Sequence, residues 1–272
     1  MSERLQKVLA RAGLGSRREL ERQIAAGAVR VNDAVANLGQ QVAAGDRVRY
    51  AQRNYRVNAG DGHRQSLPRR RVVAYCKPEG EVTTRSDPEG RPTVYARLPR
   101  LHSGRWMSVG RLDLNTSGLL LFSNDGELVH RLTHPSRQVE REYAVRVFGE
   151  VEPQLLQRLK QGVELDDGKA SFDSIRDAGG EGRNHWYHVV LREGRNREVR
   201  RLWESQGCTV SRLMRVRYGP VKMPRYLERG RWMELEGAAL EALLGLVDLL
   251  EQDAEELHLQ PEHPRQRRAR ER

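Results

Sequence analysis

A segment without hydrophobic periodicity divides the chain and constrains the fold more than any other feature. Residues 59–71 (AGDGHRQSLPRRR) combine Gly, Pro, Ser and Arg in no helical or strand-like pattern, a composition typical of linkers. The 272 residues suffice for two domains. We therefore expect an N-terminal domain over residues 1–58, a basic linker over 59–71 and a larger domain over 72–251.

The first 58 residues predict two short helices followed by a small β-structure. Apolar side chains recur at helical spacing in the first segment, at Leu5, Val8, Leu9 and Ala12. Ser16 and Glu19 form the S-x-x-E pattern of a capping box, which predicts a second helix that runs to Ile24. Valines at positions 29, 31 and 35 predict a short β-element with a turn at residues 32–33, and residues 42–50 predict another strand.

Positive charge is concentrated in this N-terminal part. Residues 1–71 hold 15 Lys and Arg against 6 Asp and Glu, and the whole chain carries +11. This distribution is typical of a module that binds nucleic-acid phosphates. The candidate RNA-binding cations lie on or between the two predicted helices, at Lys7, Arg11, Arg17, Arg18 and Arg22. A lipid-binding surface is not favoured, because no amphipathic helix places large apolar anchors opposite its cations.

The sequence also argues against several other classes of protein. No apolar run approaches the roughly 20 residues of a membrane-spanning helix, and the N-terminus lacks the apolar core of a signal peptide. Cys76 and Cys208 are too few for a disulfide scaffold or a cysteine zinc site. His185 and His188 are expected on opposite faces of one strand, which disfavours a metal site. We therefore expect a cytoplasmic protein without a membrane partner or a bound metal.

Residues 72–251 alternate short strands with helices. Strand-like patterns occur at residues 72–76, 119–122, 143–148 and 185–191. Helical patterns begin near residues 127, 153 and 238. Because no strict strand–helix–strand rhythm is present, the pattern predicts an α+β domain with a largely antiparallel mixed sheet flanked by helices. The charged, aromatic-free residues 252–272 predict a disordered tail.

Three segments carry residues suited to chemistry. In residues 109–126 (VGRLDLNTSGLLLFSNDG), Asp113 precedes a polar turn and an apolar strand. That arrangement can hold a carboxylate at the edge of an apolar surface from which water is excluded. It is also consistent with an aspartate that only caps a turn, and the spacing alone does not decide between the two. Residues 193–202 (EGRNREVRRL) hold four arginines, which also fit a solvated or phosphate-binding helix face. Tyr143 begins an alternating strand, where tyrosine is usually a half-buried sheet residue.

The order of these segments resembles that of the pseudouridine synthase family. Residues 109–126 are similar to the catalytic-aspartate motif of that family. Residues 77–80 (KPEG), 140–145 (EREYAV) and 193–202 are similar to its companion motifs, and they occur in the same order. The resemblance implies the catalytic-domain fold of that family for residues 72–251.

The N-terminal segment resembles a second family. Residues 5–32 are similar to an S4 (αL-type) RNA-binding domain, and its union with such a catalytic domain is the arrangement of the RsuA/RluB/E/F branch. Residues 85–99 and 194–204 are most similar to large-subunit members of this branch. The resemblance extends from residue 3 to about residue 250. It implies 23S rRNA or a large-subunit assembly intermediate as the partner, no cofactor, and, we expect, a monomer.

The resemblance also implies roles for individual residues. Asp113 matches the essential aspartate, Tyr143 the tyrosine that stacks on the target base, and Arg200 the basic residue that pairs with the aspartate. Arg111 matches the arginine that fills the space left when the base flips out, and Arg197 is expected to bind RNA. The block at Lys77 and Pro78 is interpreted as mainly architectural.

The implied reaction agrees with the residue types. Pseudouridine formation moves a uracil from its N1 to its C5 attachment on the same ribose, so it needs no redox cofactor. One ionised carboxylate in a water-excluding pocket suits this demand, and a neighbouring guanidinium such as Arg200 favours the ionised form. Two alternatives remain open: a synthase for a different rRNA uridine, in 16S or elsewhere in 23S rRNA, and a non-catalytic ribosome-assembly factor that contains an S4 domain.

Overall fold

The computed structural model describes residues 2–59, 70–102, 104–181, 183–250 and 257–262. The chain divides into two compact units. The first unit comprises Met1–Arg69, Leu101–Arg105 and Glu251–Arg272, and the second comprises Arg70–Arg100 and Trp106–Leu250. Two short segments distant in sequence thus join the N-terminal unit, which sequence patterns did not predict.

Short strands outnumber helices along the chain. The strands are β1 Ser2–Arg4, β2 Arg30–Val31, β3 Ala34–Val35, β4 Gln41–Ala43, β5 Arg47–Tyr50, β6 Arg53–Asn58, β7 Val72–Lys77, β8 Met107–Ser108, β9 Ser117–Ser123, β10 Arg141–Phe148, β11 Val163–Leu165, β12 Gly168–Ala170, β13 Ser174–Glu181, β14 Asn184–Leu191, β15 Thr209–Tyr218, β16 Val221–Lys222, β17 Trp232–Glu234 and β18 His258–Pro261. The helices are α1 Leu5–Arg11, α2 Arg17–Ala25, α3 Gly126–Thr133, α4 Pro153–Gln161, α5 Glu198–Glu204 and α6 Gly237–Gly245, and a 3-10 turn spans Pro135–Arg137.

The first unit packs α1 and α2 against small sheets through a continuous apolar core. The predicted capping box is present: the Ser16 hydroxyl accepts from the amide of Glu19, and the Glu19 carboxylate accepts from the amide of Ser16. The hairpin between β2 and β3 turns at Asn32 and Asp33, whose φ angles of 48° and 67° are left-handed. Two consecutive left-handed residues suit the twist of a two-residue hairpin.

Residues 42–50 do not form the single strand that their valines predict. They contribute to β4 and β5, which are separated by a turn at Gly45, where φ is +98°. The Asp46 carboxylate closes this turn by accepting from the amide of Ala43 at 2.8 Å. A turn of this kind is favoured by glycine followed by a short acidic side chain, a local signal that the alternating valines obscured.

The C-terminal segment departs from the prediction of disorder. Residues 251–256 and 263–272 lie outside the described residues, but β18 pairs antiparallel with β6 at the edge of the first unit's five-stranded sheet. Leu257, which immediately precedes β18, is fully buried in the core of that unit. The compositional argument for a disordered tail is therefore wrong over residues 257–262, because one buried leucine and a ladder of backbone hydrogen bonds suffice to order it.

The second unit is built on a nine-stranded sheet in the order β13-β14-β10-β15-β9-β7-β17, with β16 beside β15 and β8 beside β9. Only the β9–β15 pair is parallel, so the largely antiparallel α+β prediction is confirmed. Helices α3 and α6 pack on apolar residues of β7 and β9. Strands β13, β15 and β17 were not predicted from the sequence. None of the helices within the described ranges is long and apolar enough to cross a membrane.

The structure describes only the two ends of the predicted linker. Residues 60–69 lie outside the described residues. Arg70 and Arg71, which were assigned to the linker, instead belong to the second unit. Arg70 pairs with Asp125 at 2.7 Å, and Arg71 forms a two-point contact with Glu234. These two arginines therefore fix the start of β7.

Candidate active site

Asp113 lies in the loop between β8 and β9 and is half-buried. The amide of Thr116 donates to the carbonyl of Asp113 at 3.0 Å, and the amide of Gly80 donates to the carbonyl of Leu114 at 2.9 Å. The backbone of the loop is thus fixed by a tight turn and by the turn at residues 77–80. Within the described residues, the carboxylate itself forms no hydrogen bond or ion pair. The side chain therefore does not cap the turn, as the simpler interpretation of the motif required.

The side chain of Lys77 supports the backbone of this loop. It is fully buried at the end of β7. The ammonium group lies within hydrogen-bond distance of four carbonyl oxygens, those of Pro78 (3.0 Å), Asp113 (3.0 Å), Leu114 (3.4 Å) and Thr116 (2.8 Å). Burial lowers the pKa of Lys77 to about 8, against the opposing attraction of Glu81, Asp113 and Glu79. A side chain interpreted from sequence as mainly architectural therefore fixes the backbone of the proposed catalytic aspartate.

Arg200 reaches the same loop from α5. It is 8% exposed, and its guanidinium donates to the carbonyl of Asn115 and to that of Val210, both at 2.8 Å. Burial and the nearby charge of Arg197 lower the pKa of Arg200, whereas Asp113 acts in the opposite direction. The predicted direct ion pair between Arg200 and Asp113 is absent from the described residues. The two terminal nitrogens of the guanidinium point to carbonyls instead, so Arg200 attracts Asp113 only through space.

Tyr143 lies beside this site on β10. It is 9% exposed and is paired in register with Val189 of β14 and with Arg215 of β15. Arg215 is in turn the register partner of Gly118, at the start of β9. Because neighbouring strands are separated by about 4.8 Å, the backbone of Tyr143 lies roughly 10 Å from that of Gly118. Tyr143 is thus separated by one intervening strand, β15, from β9, the strand that follows the Asp113 loop.

Gly118 allows β9 and β15 to approach closely. Its φ is +102°, and a Cβ atom built on it would lie 2.3 Å from the carbonyl oxygen of Arg215. Arg215 is itself almost fully buried, and its Nε donates to the carbonyl of Leu119 at 2.7 Å. No side chain larger than hydrogen fits at position 118 without displacing the parallel strand.

The remaining predicted residues of this unit are at the surface. Arg111 is exposed and, within the part of the chain that the structure describes, has no side-chain partner. Arg197 is exposed in a left-handed conformation at the N-terminus of α5, where it contacts Glu204 at 3.5 Å. Both guanidiniums are accessible to a ligand. His185 and His188 contact different carboxylates, Asp177 and Glu142 respectively.

Two of the predicted RNA-binding cations in the first unit are engaged inside the protein. Lys7 and Arg11 both pair with Glu3, at 3.0 and 2.9 Å, and Arg11 also donates to the carbonyl of Leu257. Burial raises the pKa of Glu3, but Arg11 and Lys7 outweigh it and hold the pKa at about 2. Arg11 therefore anchors the C-terminal segment, and its assignment to RNA stays a prediction.

The other three predicted cations of this unit are exposed at the start and along the outer face of α2. Arg17, Arg18 and Arg22 have exposed side chains. Arg18 and Arg22 line a surface groove together with Glu21, Ala25 and Leu38. These side chains remain candidates for contact with RNA.

Sequence reasoning missed Gly118 and Arg215, and it interpreted Lys77 as mainly architectural without identifying which backbone it supports. The signal for Lys77 was present: a lysine ends the strand VVAYCK, of which every residue is buried. A lysine in such a strand needs internal acceptors, since burial without them is costly. Gly118 and Arg215 gave no such signal, because their importance comes from the pairing of two strands that are distant in sequence.

Comparisons with known proteins agree with this architecture. Residues 71–205 match the family model of RNA pseudouridylate synthase, and residues 3–48 match that of the S4 domain. A crystal structure of a pseudouridylate synthase superposes with a TM-score of 0.60 at 25% identity, over 88% of this chain and 99% of that chain. The fold and the matches define a pseudouridine synthase that carries an S4 domain.

Relatives of known name specify the family. Ribosomal large subunit pseudouridine synthase B of Salmonella typhi is 57% identical over 92% of this chain and 84% of the relative. The proteins of the same name from Escherichia coli (strain K12) and Vibrio vulnificus are 56% and 59% identical over 92% of this chain, and over 84% and 77% of the respective relatives. The chain belongs to the ribosomal large subunit pseudouridine synthase B family.

Proposed function

We propose that this enzyme converts one uridine of 23S rRNA, in the large ribosomal subunit or an assembly intermediate of it, into pseudouridine. The observation that carries the proposal is the state of Asp113. Its carboxylate has no partner among the described residues, while Lys77 and Arg200 hold the carbonyls of its loop. An unpartnered carboxylate on an immobilised backbone is pre-organised to meet a substrate rather than to stabilise the fold.

The reaction balances without any external reagent. The bond between C1′ of the ribose and N1 of uracil breaks, the base turns, and a bond forms between C1′ and C5. The proton on C5 is lost and N1 gains a proton, so the product is an isomer of the substrate. We propose that Asp113 either attacks the sugar or acts as a general base during these steps. We also propose that the enzyme works as a cytoplasmic monomer without a cofactor.

Two buried cations support the loop that carries Asp113. Lys77 and Arg200 are both buried cations that attract Asp113 through space. Because their own hydrogen bonds go to carbonyls, neither cation blocks the carboxylate. The arrangement places two positive charges near the loop and leaves the carboxylate of Asp113 accessible to a substrate.

Delivery of the uridine is assigned to the neighbouring residues. A uridine in folded RNA must leave its stack before a carboxylate can reach C1′, which costs a few kcal/mol. In this proposal the ring of Tyr143 stacks on the flipped base, and the accessible Arg111 enters the space that it vacates. The S4 unit, with Arg17, Arg18 and Arg22, supplies salt-sensitive phosphate contacts, and Arg197 adds a further contact near α5.

The test is pseudouridine mapping of ribosomal RNA by carbodiimide modification. Cells that lack the protein are complemented with wild type or with Asp113→Ala. We expect one 23S rRNA site to lose its pseudouridine in the absence of the protein and to regain it only with wild type. Recovery with Asp113→Ala would contradict the catalytic assignment. Loss of a 16S site instead would establish the alternative target, and an unchanged map would favour the non-catalytic assembly factor.

A further inference from the structure

The central sheet of the second unit presents a row of arginines around a tryptophan. In β10, Val145 and Val147 are buried, and Arg146 between them projects to the opposite face because successive strand residues alternate. Arg146 is paired in register with Trp186 of β14 and with Arg212 of β15. Residues paired in register share a face, so these three side chains lie side by side.

This row lies on the reverse of the sheet relative to the proposed active site. Tyr187 follows Trp186 and therefore points to the other face, where its ring lies 5.1 Å from that of Trp203 in α5. Val145, the register partner of Tyr187, shares that covered face with Tyr143. Helix α5 thus covers one face, and Arg146, Trp186 and Arg212 occupy the other.

Further cationic and aromatic groups extend the row. Arg176 of β13 is paired in register with His188, two residues along β14 from Trp186. At the end of β10, Phe148 is 44% exposed, and the guanidinium of Arg183 lies 5.2 Å from the centre of its ring. We call the set Arg146, Arg176, Arg183, Arg212, Trp186 and Phe148 the reverse face.

The charges of the reverse face are not neutralised within the protein. Among the residues that the structure describes, the side chains of Arg146, Arg176, Arg212 and Trp186 form no hydrogen bond, ion pair or ring contact. The neighbouring acid on this face, Glu142, is already bonded to Arg217 at 2.9 Å and to His188 at 2.8 Å. Glu142, Arg217 and His188 thus form a hydrogen-bonded network centred on Glu142. The three arginines beside them carry permanent positive charges that no described side chain pairs with.

We propose that the reverse face binds a segment of the substrate RNA, with a nucleobase stacked on Trp186 and phosphates bound by Arg146, Arg176 and Arg212. RNA uses both groups at once, since bases stack on aromatic platforms while the flanking backbone needs cations. The inference rests on the proposed function, because it assigns to the rRNA substrate a second contact away from Asp113. An RNA longer than the target stem-loop can contact both faces of the sheet.

The experiment measures RNA binding by the full chain at several salt concentrations. The probes are a 23S rRNA transcript of several hundred nucleotides and the shortest stem-loop that is still a substrate. For the triple variant Arg146→Gln, Arg176→Gln, Arg212→Gln, the slope of log affinity against log salt should fall by about 2 on the long transcript, since each phosphate contact to a single strand contributes about 0.7. Trp186→Ala should weaken that binding about tenfold, and Trp186→Phe should restore most of it because a stacking ring is retained.

A matched control separates the surface from the overall charge. Arg158→Gln, Lys160→Gln and Lys169→Gln remove the same charge from α4 and β12, and this triple variant should keep the wild-type slope. Thermal unfolding confirms that each variant is folded. Turnover should stay unchanged in the control variant, since none of its three residues is assigned to RNA binding or to catalysis.

The outcomes are distinct. Wild-type affinity and slope in both the triple arginine variant and Trp186→Ala overturn the proposal, whether or not pseudouridine forms. Weakened long-transcript binding, with the stem-loop and the control variant unaffected, supports it. Failure of the proposed function would appear separately, as a wild-type enzyme that binds RNA but makes no pseudouridine in either probe.

Discussion

The ammonium of Lys77 lies 2.8 Å from the carbonyl oxygen of Thr116, three residues after Asp113 in the same loop. The two residues belong to segments separated by a long stretch of sequence, and their contact ties the end of β7 to the start of β9. The same ammonium reaches the carbonyl of Asp113 itself at 3.0 Å. The position of the proposed catalytic aspartate thus depends in part on a buried side chain that does not react.

Lys77→Met should therefore lower activity and stability together. The variant leaves buried carbonyls without a donor, at a cost of about 1–3 kcal/mol. With the loop no longer fixed, we expect turnover at saturating RNA to fall at least tenfold, because misplacement of a reacting group by about 1 Å is expensive. Urea unfolding and single-turnover pseudouridine formation measure the two effects. Wild-type turnover in a destabilised variant would show that Lys77 serves only folding.

Arg200→Lys tests the second support of the loop. A lysine presents a compact charge and cannot span the carbonyls of Asn115 and Val210 as the planar guanidinium does. We expect turnover to fall about 10- to 100-fold while RNA affinity stays within about threefold of wild type. Arg201→Lys is the matched control, because Arg201 pairs with Asp167 at the surface and should be nearly neutral. Equal losses in both variants would refute a specific role for Arg200.

Gly118→Ala should be severely destabilising because of both backbone conformation and contact. The left-handed φ costs an alanine about 1–2 kcal/mol, and the clash with the carbonyl of Arg215 adds about 1–3 kcal/mol. Gly110→Ala isolates the first contribution, since Gly110 has φ of +75° with open space around it. The difference between the two free energies of unfolding measures the close approach of β9 and β15, and a difference near zero would argue against it.

Glu3 should make the first unit sensitive to acid. Its folded pKa of about 2 lies below the ordinary value of 4.5, so its stabilisation is full above about pH 5 and is lost as the pH falls towards 2. After allowance for solvent screening, Glu3→Gln should cost about 2 kcal/mol at pH 7 and almost nothing at pH 2. Unfolding curves across this range measure the effect. Glu21→Gln is the control, and an equal pH dependence of both variants would contradict the assignment.

Leu257→Ala should destabilise the first unit by about 3 kcal/mol, because the side chain is fully buried and its removal leaves a cavity. Leu38→Ala provides the comparison, since Leu38 is 62% exposed and its loss should be almost neutral. Hydrogen exchange of the β6 amides reports on the same region. Unchanged protection in Leu257→Ala would mean that β18 contributes little to the unit.

Local signals in the sequence predicted local structure well. The capping box at Ser16 and Glu19 and the turn at Asn32 and Asp33 depend on residues a few positions apart, and both are present in the structure. Strand β15 was missed because its sequence TVSRLMRVRY interleaves arginines with apolar residues, and a register shift interrupts its pairing with β10. Its identity as a central strand comes from neighbours that a single sequence does not reveal.

The candidate site was predictable in its residue types but not in its contacts. Asp113 and Tyr143 followed from motifs, yet the partners of Arg200 are carbonyls rather than the expected carboxylate. Lys7 is predicted to bind RNA, and in the structure it pairs with Glu3 of β1 at 3.0 Å. The overall composition of a segment indicates neither this ion pair nor the burial of Leu257.

The return of β18 to the sheet of the first unit has a consequence for synthesis of the protein. Domains at the start of a chain generally fold first while the ribosome is still translating, yet the contact between Arg11 and Leu257 spans 246 positions. A nascent chain that has reached residue 250 has every residue of the second unit. It still lacks the last strand of the first unit and one of that unit's core side chains. The first unit is therefore the first to emerge from the ribosome and the last to be completed.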